Sequence, residues 1–253
     1  MIKVVLLGGG NVGFHLANIF LNTKTVKLVQ VYNRSINNIK HLENKTQITT
    51  DLNNIAKADL YIISVSDSAV ATLANQLQRK NALIVHTSGS VNMNVLDSHK
   101  NHGVFYPLQT FSKSRSPDFS NIPLCLEANT KQNLNVLEQL AKSINCPVYY
   151  INSTQREYLH TAAIFVNNFV NHLYYISNQI SEQHQVNPDI LHALIKETTE
   201  KAIQITPYKA QTGPARRGDS NTINKHLNKL SGNNKAIYKL LSESIATTYE
   251  QEL

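Results

Sequence analysis

The sequence predicts an N-terminal α/β domain with a doubly wound sheet, followed by a C-terminal domain that is entirely helical. Short β-branched runs alternate with amphipathic segments over residues 1–152. Strands joined by crossovers of a dozen or more residues pair in parallel, and right-handed crossovers place helices on both faces of the sheet. After Asn152 the strand pattern stops and helical periodicity takes over. We therefore expect two domains, at residues 1–152 and 153–253.

The opening of the chain shows this alternation most clearly. Ile2–Leu7 is a mainly apolar run, as expected of a buried strand. Asn11–Leu21 carries apolar residues at positions 12, 16, 19 and 20, which is the stripe of an amphipathic helix. A further helix is predicted at residues 131–143, and further strands are predicted at residues 28–32, 47–49, 59–65, 82–86, 104–106, 124–127 and 148–151.

The C-terminal segment carries helical patterns throughout. A long helix over residues 153–184 is apolar over more than half of its circumference, which predicts burial on several sides. Asn187 and Pro188 predict a helix start, with an N-cap and a proline in the first turn, and the helix continues through Ile205. The remaining predictions are a loop at residues 206–218 and helices at residues 220–230 and 234–251.

Composition excludes several classes of protein. The 253 residues carry a formal net charge of +7, but the basic excess is spread over the N-terminal half without a long basic run. This distribution suits a small anionic ligand better than a nucleic acid, so we expect no nucleic-acid partner. No apolar run has the length of a signal peptide or a membrane span, and we expect no membrane association. The two cysteines, Cys125 and Cys146, lack a pattern and predict a reduced, cytoplasmic protein.

The glycines point to a ligand. Gly8, Gly10 and Gly13 fit the pattern G-x-G-x-x-G, which alone is a weak signal. Here the pattern follows a predicted strand and, with Asn11 and Val12, opens a predicted helix. In that context Gly8 permits the tight turn, Gly10 lets the backbone approach a diphosphate, and Gly13 lets the helix pack on the strand. The sequence therefore predicts a dinucleotide site, because a glycine-rich turn without a ligand does not require this spacing.

The end of the second strand indicates which dinucleotide is bound. An NAD site carries Asp or Glu there, about 20 residues beyond the glycines, to accept a hydrogen bond from the ribose 2′-hydroxyl. This chain has Asn33, Arg34 and Ser35 instead. A guanidinium and a hydroxyl suit a 2′-phosphate, so NADP is the predicted cofactor. The alternative is that Arg34 is an ordinary solvated arginine.

Polar residues follow three further predicted strands. Ligands of such a sheet lie outside the carboxyl ends of its strands, so these residues are expected to meet in one crevice. We expect the first group to lie beside the nicotinamide ribose and the other two to hold a substrate's carboxylate or carbonyl. The alternative for the hydroxyl residues is ordinary capping and turn formation. The groups are Ser64, Val65 and Ser66, then Ser88 and Gly89, then Gln109 and Thr110.

Together these motifs resemble the NADP oxidoreductases in which a Rossmann-like domain is followed by a helical domain of unknown function. The resemblance covers nearly the whole chain. It rests on the glycine loop, residues 33–35, 86–89 and 105–111, Leu159–Ala163, Asn167–Phe169 and Gly213–Asp219. The wider superfamily is that of the pyrroline-5-carboxylate reductases, the ketopantoate reductases, and the β-hydroxyacid and 6-phosphogluconate dehydrogenases. The resemblance implies hydride transfer from NADPH to a small carbonyl- or imine-bearing acid, in a homodimer built through the helical domain.

The chain departs from this pattern at the proton donor. In the β-hydroxyacid dehydrogenases the helix between the domains supplies a lysine, followed one turn later by an asparagine. Aligned on Ala162 and Ala163, the lysine position is Ile164 here, and the asparagine is Asn168. Residues 157–195 contain neither lysine nor arginine, so a donor on this helix must be of another type.

His160, Asn168 and Asn171 are the catalytic candidates. They are spaced i, i+8 and i+11, which places them on one face of a continuous α-helix. A histidine protonates a carbonyl oxygen and an amide polarises it. The alternative for His160 is a structural histidine bonded to a backbone carbonyl. Arg217 is a candidate for clamping a substrate carboxylate, with Asp219 capping the next helix, and the alternative is an arginine paired with an acidic neighbour.

These residues predict a two-domain NADPH-dependent reductase of a small carbonyl-bearing acid, and the family resemblance adds ketopantoate as a candidate substrate. One alternative is an imine reductase of the pyrroline-5-carboxylate type. Another is an NADP-binding sensor without turnover, because the lysine is missing. His99 and His102 have a metal-like spacing but lack carboxylate or cysteine companions, so no metal site is predicted.

Overall fold

The computed structural model describes residues 1–77 and 81–250, which form two compact units, residues 1–167 and 168–250. The first unit contains one eight-stranded sheet with the order β3-β2-β1-β4-β5-β6-β7-β8. Its strands are β1 (Ile2–Leu7), β2 (Val26–Tyr32), β3 (Gln47–Thr49), β4 (Leu60–Ile63), β5 (Leu83–His86), β6 (Asn101–Pro107), β7 (Leu124–Ala128) and β8 (Val148–Tyr150). The predicted strands are all present, and the Rossmann-type fold is confirmed.

Alternate side chains of the strands pack against the two layers of helices. Val4 and Leu6 of β1 join a core that includes Leu16 of α1 (Asn11–Leu21) and residues of α3 (Lys131–Ser143). Val5 and Leu7 point to the other face and join a core with α2 (Asp67–Gln76). Because both faces of the sheet are covered, its central strands are apolar on both sides.

One pair of neighbouring strands runs against the predicted direction. β6 and β7 are antiparallel, whereas the other pairs are parallel. The connection at residues 108–123 contains only a short 3-10 turn at Phe119–Asn121 and no α-helix. Without a helix to carry the chain back across the face of the sheet, the connection returns from the same edge and β7 reverses direction.

The predicted long helix is divided, and its surroundings differ from the prediction. It consists of α4 (Ser153–Ile164), a π-helical turn at Phe165–Phe169 and α5 (Val170–Gln183). Only Ser153, Arg156 and Ile176 are buried in this stretch, so the predicted burial on several sides is wrong for the single chain. The apolar periodicity shows which positions avoid water, but it does not show whether this chain or another covers them.

The second unit is described here by itself. It contains α5, α6 (His192–Ile205), the four-residue α7 (Pro207–Ala210), α8 (Ser220–Lys229) and α9 (Gly232–Tyr249). The predicted helix start at Asn187 is a 3-10 turn, Pro188–Leu191, that leads into α6, and the predicted loop at 206–218 includes α7. Tyr249, at the end of α9, is buried, its hydroxyl donates to the Tyr208 carbonyl at 2.7 Å, and the Arg216 guanidinium lies over its ring.

The chain changes from α/β structure to helices after β8, close to the predicted boundary at residue 152. The division by contacts falls later, after Asn167. α4 belongs to the first unit because its first turn is tied to the sheet, where Ser153 donates to Glu127 at 2.8 Å and Arg156 pairs with the same carboxylate.

Candidate active site

A cleft of about 790 Å³ opens at the carboxyl ends of the strands, and its described lining belongs to the first unit. Its volume lies in the range of small-molecule and cofactor sites. One end is formed by the glycine loop and the end of β2, and the other by the residues after β5 and β6 together with His160 of α4. The cleft therefore lies where a doubly wound sheet binds its ligand.

The glycine loop has the geometry that its spacing predicts. Gly8 adopts a φ of 126°, and a Cβ there would lie 1.9 Å from the Ser64 carbonyl oxygen. A Cβ on Gly13 would lie 2.1 Å from the Gly8 oxygen, so Gly13 is needed for close packing beneath the loop. Gly10 has nothing within 4 Å of its would-be Cβ, and it faces open space in the cleft.

The N-terminus of α1 also faces this space. Its N-cap is Gly10, no side chain of the described residues caps it, and its first turn holds no acidic residue. The first amide groups of a helix need acceptors, and the helix dipole favours an anion there. A diphosphate fits both requirements.

Asn33 and Arg34 extend the site from the end of β2. The Asn33 side chain accepts a hydrogen bond from the Gly9 amide at 3.0 Å and donates to the Ser35 carbonyl at 2.8 Å, so it fixes the loop. Arg34 is exposed, lines the cleft and forms no ion pair with any residue that the structure describes. No carboxylate lines this end among residues 1–77 and 81–250, so the described residues fit an NADP 2′-phosphate.

The loop after β5 forms the opposite end. The Ser88 hydroxyl accepts from the Ser90 amide at 3.2 Å and from the Val91 amide at 3.0 Å, which holds the loop in a compact turn. The Ser90 hydroxyl donates to the Asp67 carboxylate at 2.6 Å. Asp67 is the one carboxylate among the described residues that line the cleft, and it lies on this side, at the start of α2.

Tyr106 is a site residue that the sequence analysis missed. It lines the cleft from the end of β6, and its hydroxyl lies 3.1 Å from Nδ1 of His160. The predicted site residues Gln109 and Thr110 follow this strand, whereas Tyr106 lies within it. A tyrosine in an apolar strand was the available signal, because a buried phenol requires a hydrogen-bond partner.

A buried ion pair beneath this end was missed as well. Arg156 of α4 is fully buried, pairs with Glu127 of β7, and donates to the Val91 carbonyl at 2.6 Å. It also donates to the Ser153 hydroxyl at 3.1 Å. Arg156 thereby joins α4 and β7 to the end of the loop that carries Ser88. The stretch without lysine or arginine, residues 157–195, begins directly after Arg156. A single arginine in the first turns of the predicted helix was therefore the signal of a buried ion pair.

His86 lies under the same loop. It is fully buried at the end of β5, and Nδ1 accepts a hydrogen bond from the Ser88 amide at 3.2 Å. Burial and, to a smaller extent, the Arg156 charge together lower the pKa of His86 to about 4, against opposing effects of Asp67 and of a hydrogen bond with the Asn92 backbone. His86 is therefore neutral at physiological pH.

Most of the predicted site residues of the first unit meet in this cleft. They are Gly8, Gly10, Asn11, Val12, Asn33, Arg34, Ser64, Val65, Ser66, Ser88, Gly89, Gln109 and His160. Gly13, Ser35 and Thr110 are not among the lining residues. Gly13 lies under the loop, the Ser35 carbonyl is bonded by Asn33, and the Thr110 amide is bonded by the Gln109 side chain at 2.8 Å.

Asn168, Asn171 and Arg217 belong to the second unit. The π-helical turn at Phe165–Phe169 lies between His160 and Asn171, so the face predicted from α-helical spacing does not continue through it. Arg217 lies 3.6 Å from the Asp219 carboxylate. Pairing with an acidic neighbour was the alternative to the predicted role of Arg217 as a substrate clamp. The predicted cap is confirmed, since the Asp219 side chain accepts from the Thr222 amide at 3.0 Å. The roles of these three residues stay predictions.

His99 and His102 each have protein partners at the ring: one nitrogen of His99 and both nitrogens of His102. His99 bonds to the Ala74 carbonyl at 3.0 Å, and His102 bonds to the His99 carbonyl at 2.7 Å and lies 3.2 Å from the Asp97 carboxylate. The described part of the chain contains no group of three or more metal-binding side chains. Within the same residues, no helix combines the length and apolar character that a bilayer crossing requires.

These features define a class, the Rossmann-type oxidoreductases, in which a dinucleotide cleft also holds side chains able to transfer protons. A family model described as "NADP oxidoreductase coenzyme F420-dependent" matches residues 3–89, and one for a domain of unknown function, DUF2520, matches residues 122–245. A search of curated proteins found no match.

Solved structures agree with these matches. A "putative NADP oxidoreductase" from Bacteroides fragilis is 39% identical, with 97% of this chain and 98% of that chain covered and a TM-score of 0.90. A Thermotoga maritima protein is 22% identical, with 98% and 99% covered and a TM-score of 0.72. Pyrroline carboxylate reductase from Plasmodium falciparum, solved with NADP bound, is 12% identical, with 98% of each chain covered and a TM-score of 0.64. The last two likenesses show the fold alone.

The chain belongs to the family of NADP oxidoreductases that join a Rossmann-type domain to this helical domain. It is an enzyme, and its cofactor is NADP. The family and cofactor predicted from the sequence are thereby confirmed.

Proposed function

We propose that this enzyme uses NADPH to reduce the carbonyl group of a small acid, with ketopantoate among the candidate substrates. The observation that carries the proposal is that one cleft is lined at one end by the glycine loop and Arg34 and at the other by His160. The reaction requires a bound cofactor that reaches the carbonyl carbon and a proton donor that reaches the oxygen of the same carbonyl group.

The chain's own residues divide the work between the two ends. The backbone of the glycine loop would hold the diphosphate, and Arg34 the 2′-phosphate. NADPH supplies a hydride when it is bound. Ser88, Gly89 and Gln109 line the other end and offer hydroxyl, backbone and amide groups to polar atoms of a substrate. His160 lies there with an imidazole that can supply the proton that the carbonyl oxygen gains.

The second unit supplies the remaining proposed roles. In this proposal Asn168 and Asn171 polarise the carbonyl, and Arg217 clamps the substrate carboxylate bidentately. The support for the role of Arg217 is chemical, because the carboxylate of an acid substrate needs a cationic side chain to bind it. Arg34 at the cofactor's end is the only lysine or arginine among the described residues that line the cleft.

The charged residues that line the cleft also favour a second candidate function, the reduction of an imine. Asp67 places a carboxylate near Ser88 and Gly89, and a protonated imine carries the opposite charge. A carboxylate within a few ångströms stabilises such a cation. Membership in an oxidoreductase family favours both reductase candidates over a sensor without turnover.

The test is NADPH oxidation with a panel of 2-oxo acids, including ketopantoate, and cyclic imines. A 2-oxo acid as the best substrate, with a loss of turnover in His160→Ala, supports the carbonyl proposal. A cyclic imine as the best substrate supports the second candidate. Asn168→Ala and Arg217→Ala measure the roles of the second unit. Tight NADPH binding without turnover of any compound would contradict both reductase proposals.

We also propose that two copies of the chain associate through the helical domain, residues 153–253. Large apolar side chains there are exposed in the single chain, among them Val166 at 75%, Ile203 at 79% and Leu240 at 67%. Exposed apolar surface of this extent is typical of an interface. This explains why the apolar helix pattern did not produce burial within one chain.

Sedimentation of the wild-type chain tests the association. We expect a dimer, and we expect Leu194→Asp/Ile203→Asp, which charges two sides of α6, to sediment as a monomer. Gln204→Asp adds one carboxylate at a neighbouring exposed position and should leave the dimer intact. A monomeric wild-type chain would contradict the proposal.

We also propose that the chain is located in the cytoplasm. Cys125 and Cys146 are buried free thiols, and burial raises their pKa values to about 11 and about 12. Such thiols suit a reducing compartment. Localisation of a tagged chain tests this, and export would contradict it.

A further inference from the structure

Tyr106 and His160 form a hydrogen-bonded pair at the end of the cleft away from the glycine loop. The Tyr106 hydroxyl lies 3.1 Å from Nδ1 of His160, and the two rings meet edge to face with centroids 6.1 Å apart. Tyr106 comes from the end of β6 and His160 from the third turn of α4. Both side chains line the cleft, so both are open to a ligand.

Gly89 brings the backbone of the cleft wall directly against this pair. A Cβ on Gly89 would lie 2.5 Å from Nδ1 of His160 and 2.8 Å from Cζ of Tyr106. Any side chain at position 89 would displace the pair. The loop after β5 therefore leaves room for the hydrogen bond at the place where substrate is expected.

The chemistry of Tyr106 and His160 suits a proton relay, in which one side chain donates a proton and the other replaces it. Burial raises the pKa of Tyr106 to about 12, so the phenol keeps its proton at neutral pH. A neutral phenol donates one proton and needs a replacement immediately afterwards. Nδ1 of His160, 3.1 Å from the hydroxyl, can supply one, and the half-buried imidazole is exposed enough to recover a proton from water.

Other titratable groups near the pair are less suited to this role. Cys125 pairs with Tyr106 in the β6–β7 register, and burial keeps its thiol protonated by raising its pKa to about 11. Asp67 is bonded to Ser90, and Arg156 is bonded to Glu127. His86 is fully buried and neutral, and it is not among the described residues that line the cleft.

We propose that Tyr106 is a catalytic residue that gives its hydroxyl proton to the carbonyl oxygen or imine nitrogen of the substrate reduced in the cleft, and that His160 replaces that proton through Nδ1. The inference rests on the proposed reductase function. As the substrate carbon gains the hydride, the carbonyl oxygen takes the Tyr106 proton and a new O–H bond forms. The imidazolium of His160 passes its Nδ1 proton to the phenolate and becomes neutral. Water then restores the imidazolium. An imine nitrogen would take the same proton.

Kinetics of Tyr106→Phe on the best substrate provide the first test. General acid catalysis contributes about 10²- to 10⁴-fold, so we expect kcat to fall at least about 100-fold. The Kd for NADPH should change less than about threefold, because Tyr106 lies at the other end of the cleft. Tyr158→Phe removes an exposed phenol from α4, the helix that carries His160, and should behave as wild type. In His160→Gln we expect kcat to fall as well, with the Kd for NADPH again within about threefold of wild type, because the phenolate then loses its proton supply.

The second test needs neither cofactor nor turnover. In protein labelled with ¹⁵N-histidine, Tyr106→Phe should shift the Nδ1 resonance of His160, and Tyr158→Phe should not. An unchanged Nδ1 resonance would overturn the pairing on which the relay depends. Wild-type turnover with full activity in Tyr106→Phe would overturn the relay alone. Failure of wild type to oxidise NADPH with any compound would overturn the proposed function and the relay with it.

Discussion

At the scale of single residues, the glycines of the loop have different physical tasks. Gly8 is required by its backbone, because its φ is 126° and a Cβ would collide with the Ser64 carbonyl. Gly10 meets no such constraint, since the space around its would-be Cβ is open. The pattern G-x-G-x-x-G thus combines a folding requirement and a ligand requirement.

Gly10→Ala separates these two tasks. We expect its unfolding free energy to stay within about 1 kcal/mol of wild type, because the added methyl contacts nothing in the protein. NADPH binding should weaken at least about tenfold, since the methyl occupies the space that the diphosphate needs. Urea unfolding and calorimetry measure the two effects. Gly8→Ala is the comparison and should lose the fold; normal NADPH affinity in Gly10→Ala would contradict the placement of the diphosphate.

Arg34 is expected to select the phosphorylated cofactor. A hydrogen bond to a charged group contributes about 1.5–3 kcal/mol, so Arg34→Ala should weaken NADPH binding by about tenfold or more and leave NADH binding nearly unchanged. Lys40→Ala removes an equal charge from a nearby exposed position outside the described cleft lining and should have little effect. Isothermal titration with both cofactors measures the difference. Equal losses for NADPH and NADH would contradict the role of Arg34.

His86 makes stability depend on pH. Its pKa in the folded chain is about 4, below the ordinary value of 6.5, so the unfolded chain binds the extra proton first. Stability is therefore full above pH 6.5 and is lost as pH falls towards 4, by at most about 3 kcal/mol. Urea unfolding at several pH values across this window should show that the unfolding free energy depends less steeply on pH in His86→Asn than in wild type. His184→Asn, at an exposed position, should keep the wild-type slope, and an unchanged slope in His86→Asn would count against the assignment.

At the scale of elements, the ion pair of Arg156 and Glu127 connects α4 with β7 and the loop that ends at Val91. Removing one partner leaves a buried charge without compensation. We expect Arg156→Met to lower the unfolding free energy by about 3 kcal/mol or more and to disorder the Ser88–Val91 loop. Thermal unfolding and hydrogen exchange of that loop measure these effects.

Lys142→Met is the matched control for this pair. It breaks the exposed ion pair with Glu138, which lies on the surface of α3 and is screened by water. Stability should change little in this variant. Equal stability of Arg156→Met and Lys142→Met would show that the buried pair does not hold these elements together.

At the scale of the whole molecule, α4 belongs with the sheet that precedes it. A fragment of residues 1–167 keeps Ser153 and Arg156, whereas a fragment of residues 1–152 leaves Glu127 without either partner. We expect the longer fragment to unfold cooperatively and the shorter one to be less stable by about 3 kcal/mol or more. Urea unfolding of both fragments measures this. Equal stability would favour a boundary at residue 152.

The fold was largely predictable from local patterns. Alternating apolar runs located the strands, and the glycine spacing after β1 located the cofactor's end of the cleft. The antiparallel direction of β7 was not predictable in this way, because residues 108–123 do not show on which side the chain returns. The π-helical turn after Ile164 has no signal in the apolar periodicity either.

By itself the sequence determined the Rossmann-type fold, the glycine loop and the absence of a carboxylate after β2, because these depend on residues close together in the chain. Only the tertiary structure placed Tyr106 beside His160, 54 residues away, and Arg156 beside Glu127. A hydrogen bond or ion pair between distant residues leaves no periodicity in either segment. Such contacts depend on how α4 packs against the ends of β5, β6 and β7.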